Sequence, residues 1–184
     1  FFDKVYLVLQ KFPNSYSLYN LLGVAYVNLQ NFKEAINCFK KSLSIKEDFH
    51  ETYYNLGSVY QTTKVYDKAI SCYLTAISHK ENYFLAIFNV AVCYQFINVN
   101  QKAIEYLRLA IKINPQSAEA LNNLGSILHK ENKFDEAKIC YEKAIRLKPN
   151  YLLAYNNYGV LLNKTKDFDL AVINFKKALA INPR

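Results

Sequence analysis

Apolar residues along this chain recur at three- and four-residue steps, in short stretches separated by polar turns. Leu22, Ala25, Tyr26 and Leu29 form one stripe; Ala35, Ile36, Phe39 and Leu43 form the next. That spacing places apolar side chains on one face of an α-helix. A polar pair, Gln30 and Asn31, lies between the stripes and predicts a turn joining two helices. Asn31 followed by Glu34 reads as a capping box opening the second helix. Asp167 reads as the cap of the equivalent helix near the end of the chain. Proline after a second helix stops it, because it cannot continue the hydrogen-bond ladder.

The pattern repeats. Every glycine falls in one column, Gly23, Gly57, Gly125 and Gly159, stepped by 34 residues, with Ala91 in the gap. Every proline falls in another, Pro13, Pro115, Pro149 and Pro183, with Glu47 and Glu81 in the gaps. Ala35, Ala69, Ala103, Ala137 and Ala171 form a third column. Leu43, Ile77, Ile111, Ile145 and Leu179 form a fourth, and Tyr26, Tyr60, Tyr94, Leu128 and Leu162 a fifth. The units are 16–49, 50–83, 84–117, 118–151 and 152–184, and residues 1–15 fit the second half of a preceding, truncated unit. Glycine should admit a close backbone approach at a helix contact, and alanine should let paired helices sit close. A single unit leaves an apolar face exposed, so the units must stack.

A 34-residue period carrying Tyr53, Tyr54, Asn55, Leu56, Gly57, Tyr60, Ala69, Tyr73 and Ala76 resembles the tetratricopeptide repeat (TPR). Ile87 and Leu121 replace that family's large aromatic early in the first helix, Ala91 replaces its glycine, and Asn100 its turn aromatic. The resemblance implies an all-α fold, a right-handed superhelical solenoid of antiparallel helix pairs. It also implies a concave groove lined by first helices. By the same analogy, groove residues fall at positions 2, 5, 6, 9, 12 and 13 of each unit.

Position 6 is then Leu21, Asn55, Asn89, Asn123 and Asn157, and position 5 is Asn20, Tyr54, Phe88, Asn122 and Asn156. An Asn amide both donates and accepts. A column of them can pair with the backbone of an extended peptide whatever its side chains. This resembles the asparagine ladder in the repeat arm of O-linked N-acetylglucosamine transferase. The alternative is that these amides satisfy neighbouring groups within the stack. Tyr54, Leu85, Phe88, Val92 and Phe96 are expected to add an apolar patch, with Val92 and Phe96 equally suited to packing between helices. The positions matching the family's carboxylate clamp are Asn20, Val24, Asn55, Leu85 and Asn89. None is basic, which argues against capture of chaperone tails.

Charge and composition narrow the reading. The formal net charge is +8. Yet the first-helix segments carry only Glu51, Glu119, Lys130, Glu131 and Lys164, so the excess lies on second helices and turns. A nucleic-acid groove should itself be basic, and nucleic acid is not the expected partner. The longest nearly apolar run, 83–94, is too short to span a membrane. Cys38, Cys72 and Cys140 share one column, where a disulfide's short Cα separation is out of reach, and read as packing residues with Cys93. A reducing, cytoplasmic setting is expected. His50, His79 and His129 are isolated. No metal site, cofactor site or catalytic constellation is expected.

The sequence begins with Phe1 and contains no Met, so it is expected to be a piece of a longer protein. Its expected function is a non-catalytic scaffold binding an extended peptide or protein segment in the groove. Two alternatives stay open: the substrate-recognition arm of a larger enzyme such as a glycosyltransferase, or a structural solenoid that self-associates end to end through uncapped ends.

Overall fold

The computed structural model describes residues 2–182, with side chains from residue 5 onward except that of residue 6. Pro183, the last member of the proline column, lies outside the described residues, as do Phe1 and Arg184. Eleven α-helices occur among the described residues: α1 (Phe2–Lys11), α2 (Tyr16–Asn28), α3 (Phe32–Ile45), α4 (His50–Thr62), α5 (Tyr66–His79), α6 (Phe84–Phe96), α7 (Asn100–Ile113), α8 (Ala118–Lys130), α9 (Phe134–Leu147), α10 (Leu152–Lys164) and α11 (Phe168–Ile181). They contain no strand. The chain forms two compact units, Phe1–Cys93 and Tyr94–Arg184.

Each turn within a repeat is built the same way. Gln30, Lys64, Asn98, Asn132 and Lys166 all take a positive φ, between 57° and 66°. The residue after each sends its N–H back five positions: Asn31 to the Tyr26 carbonyl at 2.9 Å, Val65 to Tyr60 at 2.8 Å, and Asp167 to Leu162 at 2.9 Å. This is the Schellman closure, which satisfies the last carbonyls of the helix. Glycine usually supplies the left-handed residue, yet none of the five is glycine.

The caps follow the sequence only in part. Asn31 accepts the Glu34 N–H at 3.4 Å, as expected. Glu34 does not return the bond; its carboxylate takes the Asn37 amide, also at 3.4 Å. Asp167 occupies the cap position, but its side chain makes no cap bond. Its own N–H is spent on the Schellman closure, and the helix opens without a side-chain acceptor. Proline is not what ends the second helices. α3, α5, α7 and α9 stop at Ile45, His79, Ile113 and Leu147, one common repeat position, although only the last two are followed by proline.

In the first unit α1 packs on α2, α2 on α3, α3 on α4 and α4 on α5. In the second, α7 packs on α8, α8 on α9, α9 on α10 and α10 on α11. The cores are shared between repeats. Ala35 and Phe39 cluster with Leu56 and Val59 of the following repeat, and Ala118, Leu121 and Ala144 with Ala154. Burying a side chain such as Phe39 contributes about 1.5–3 kcal/mol, and residues of the following repeat form part of the cluster that buries it.

The glycine column corrects its sequence reading. What approaches each glycine is an aromatic ring of the second helix, not a backbone. A Cβ at Gly57 would meet the Tyr73 ring at 2.8 Å, and one at Gly159 the Phe175 ring at 2.6 Å. The central repeat differs at both positions of this pair. Ala91 stands for glycine there, and the ring position is Leu107; both are buried.

Candidate binding face on the first helices

Helical geometry aims positions 5 and 6 of each first helix toward the same side, and stacking within each unit brings position 5 of one repeat to position 6 of the next. In the first unit the Asn55 amide donates to the Asn20 carbonyl oxygen at 3.0 Å. In the second unit the Asn157 amide donates to the Asn122 carbonyl oxygen, also at 3.0 Å. Tyr54 and Asn89 obey the same rule, with the Asn89 amide 3.4 Å from the Tyr54 hydroxyl. The Asn89 amide also reaches the Tyr73 hydroxyl at 3.4 Å, and that hydroxyl donates to Gln61 at 2.7 Å. One edge of each amide is therefore engaged inside the stack.

The predicted residues do not all stand alike. Asn20, Asn55, Asn89, Asn123, Asn156 and Asn157 are partly exposed. Asn122 is buried, at 3 % exposure. Its amide lies 3.5 Å from the Asn123 carbonyl oxygen. Asn122 is thus a packing amide beneath the face rather than part of its surface.

The aromatic members are more embedded than the sequence suggested. Tyr54 is half-buried. Its ring centroid lies 5.2 Å from that of Tyr83 and 5.7 Å from that of Tyr73. Burial, and after it the neighbouring Tyr54 and Glu51, push the Tyr83 hydroxyl up to about 12. Burial raises Tyr73 further. His50 packs edge-on against Tyr83 with centroids 5.4 Å apart, and its buried Nε2 has no partner among the described residues. Phe88 stacks on Phe84 at 6.1 Å. Val92 is half-buried, whereas Leu85 and Phe96 are exposed. Leu21, placed by the sequence in the position-6 column, is exposed as well. Sequence reasoning passed over Leu153 and Val160, which are also exposed. They occupy the position-2 and position-9 columns and were findable by completing those columns.

Side-chain chemistry elsewhere is quiet. Burial pushes the Cys38, Cys72 and Cys140 thiols up to about 11 and that of Cys93 to about 12. All four are free thiols. Among the described residues no three His, Cys, Asp or Glu side chains come together as metal ligands. No described helix is long and apolar enough to cross a membrane.

These features define a helical-repeat protein that presents amides and apolar groups on helix surfaces. Models of the tetratricopeptide repeat match residues 50–83 and 86–117, 118–151, and 140–173, and a TPR repeat model matches residues 23–64. The chain belongs to the tetratricopeptide-repeat family, whose members are protein-binding scaffolds. Similar solved structures include that of MamA protein, with 27% identity over 93% of each chain and a TM-score of 0.84. MamA 41-end from Desulfovibrio magneticus RS-1 is 18% identical, over 92% of this chain and 96% of that one, with a TM-score of 0.85. YrrB, described as a TPR protein with an unusual peptide-binding site, is 20% identical over 97% of this chain and 92% of its own, with a TM-score of 0.81. No curated protein is matched by the sequence.

Proposed function

We propose that this chain is a non-catalytic scaffold that holds an extended peptide or protein segment along its first-helix face. One observation carries the reading. Asn55, Asn89 and Asn157 are partly exposed, and each has one amide edge tethered to the preceding repeat. The tether fixes the amide plane and leaves its other edge for a ligand. A fixed amide loses little rotamer freedom on binding, which is the usual cost of recruiting a polar side chain. Each unit carries its own stretch: Asn20, Asn55 and Asn89 in the first, and Asn123, Asn156 and Asn157 in the second. Leu85 and Phe96, both exposed, add apolar selection.

The test is enrichment from a random peptide display library by this chain and by a variant with Asn55, Asn89, Asn123 and Asn157 all changed to Ala. Peptides retained only by the parent chain support the reading. Equal retention by both proteins, or none by either, overturns it.

A further inference from the structure

Ser42 and Thr52 are both fully buried, at 0 % exposure. At the same two positions the following repeats carry Ala76 and Ala86, Ala110 and Ala120, then Ala144 and Ala154, all likewise at 0 %. The first junction alone replaces an alanine pair with two hydroxyls. Burying a hydroxyl costs free energy unless it is hydrogen-bonded, and both are. Ser42 donates to the Tyr16 backbone carbonyl at 2.8 Å. Its oxygen lies 3.1 Å from Thr52 Oγ1. Thr52 in turn donates to the Asn20 carbonyl oxygen at 3.0 Å, the atom that also receives the Asn55 amide at 3.0 Å.

The chain of contacts therefore runs from the first residue of α2, through two buried hydroxyls, to a pair of partly exposed amides. It joins three helices. The other exposed amides of the position-5 and 6 columns have no Ser–Thr pair beneath them, and the Asn89 amide meets the phenol hydroxyls of Tyr54 and Tyr73 instead.

We propose that the junction of the first and second repeats is an anchoring subsite for a polypeptide backbone. Asn20 and Asn55 touch the ligand there, and Ser42 and Thr52 are positioning residues that hold the two amides in place. The subsite rests on the peptide-binding reading above. Thr52 fixes Asn20, Asn20 fixes Asn55, and the amide pair meets the ligand preorganised.

The experiment uses the whole chain and a peptide selected on it from a random display library. The variants are Asn55→Ala, Asn157→Ala, Thr52→Val, Thr52→Ser and the pair Ser42→Ala with Thr52→Ala. The alanine pair reproduces what the next three junctions contain, and Thr52→Val keeps the side-chain shape should the pair prove unstable. Expected results are native circular dichroism, about a tenfold loss of affinity in the alanine pair and in Thr52→Val, and retained affinity in Thr52→Ser. Asn55→Ala should add no further loss in the alanine-pair background. NMR of the Asn55 side-chain amide should show increased mobility in the same two hydroxyl-deficient variants. Affinity unchanged in the alanine pair but lowered by Asn55→Ala would make the hydroxyls purely structural and overturn the positioning role. Affinity lost in Asn157→Ala but not in Asn55→Ala would move the anchor elsewhere and overturn the subsite while leaving peptide binding intact. Failure of the parent chain to retain any peptide would overturn both.

Discussion

A Cβ placed on Gly23 would run into Cε1 of Phe39 and lie 2.7 Å from its Cδ1, ring carbons of a side chain at 0 % exposure. The glycine of α2 and the aromatic of α3 are thus one packing unit. The ring fills the space that any other residue at the glycine would need.

This relationship predicts an unusual sign. Glycine to alanine inside a helix ordinarily stabilises by about 1 kcal/mol. Gly23→Ala should instead destabilise by about 1–2 kcal/mol, because the overpacked ring has no room to give. Adding Phe39→Leu should recover much of the loss relative to Phe39→Leu alone. The central repeat carries Ala91 and Leu107 at these two sequence positions. Denaturant midpoints of the two single variants and the double variant give the coupling; additive effects would show that the ring and the glycine are independent.

The left-handed turn residues predict gains. A non-glycine residue in that region costs roughly 1–2 kcal/mol per residue. Lys166 has φ 66° and Lys64 φ 62°. Lys166→Gly and Lys64→Gly should each raise stability by about 0.5–1 kcal/mol, the relief being partly offset by glycine's larger unfolded-state entropy. Lys166→Val should lower it, since a β-branched side chain tolerates positive φ worst. Thermal unfolding of the three variants checks the order.

The two amides at position 5 and 6 of the fourth repeat should respond differently. Asn122 is buried and accepts from Asn157, so Asn122→Ala leaves the Asn157 amide unpaired and should cost about 1–3 kcal/mol. Asn123 is partly exposed, and Asn123→Ala should change stability by no more than about 0.5 kcal/mol. Equal losses would contradict this division.

The thiols, buried at Cys38, Cys93 and Cys140 and half-buried at Cys72, should react slowly and should set an alkaline limit. Their ordinary value of 9.0 is raised, to about 11 for Cys72 and about 12 for Cys93, because burial disfavours the thiolate. A raised folded value means the stabilisation is complete below the ordinary thiol range and is lost as pH rises through the folded value. At pH near 8 iodoacetamide should modify the native chain far more slowly than the urea-unfolded chain. Stability should decline as pH rises from about 9 toward 11.

The Lys148–Glu119 pair, 2.6 Å apart with both side chains about half exposed, should contribute little. The Lys148 hydrogen bond holds the Glu119 carboxyl below the ordinary carboxylate range. That contribution is present above the unfolded carboxylate value and disappears as pH falls through the folded one. Lys148→Ala should therefore be detectable at neutral pH and low salt, and should vanish in about 1 M salt or in acid.

Much of the architecture is legible in the sequence. The helix pairs, the glycine and alanine columns and the polar turns all follow from a period repeated five times. The site was legible only as columns. Asn55 and Asn157 could be placed on the first-helix face, but their pairing with Asn20 and Asn122 could not be read. It depends on which position of one repeat meets which position of the next. Tyr83, which crowds Tyr54, lies 29 positions away at the end of the same repeat, outside any local pattern.

The sequence by itself determined that this protein is an array of 34-residue helix pairs, because helical periodicity and stacking demands are local and repeated. Only the tertiary structure decided that rings rather than backbones press on the glycines, that turns without glycine still close left-handed, and that Asn122 lies under the face. It also decided that Ser42 and Thr52 stand beneath Asn20 and Asn55. Apart from the turns, which close over five positions, each of these depends on contact between residues ten or more positions apart, where distances of a few tenths of an ångström separate a hydrogen bond from a gap and a fit from a clash.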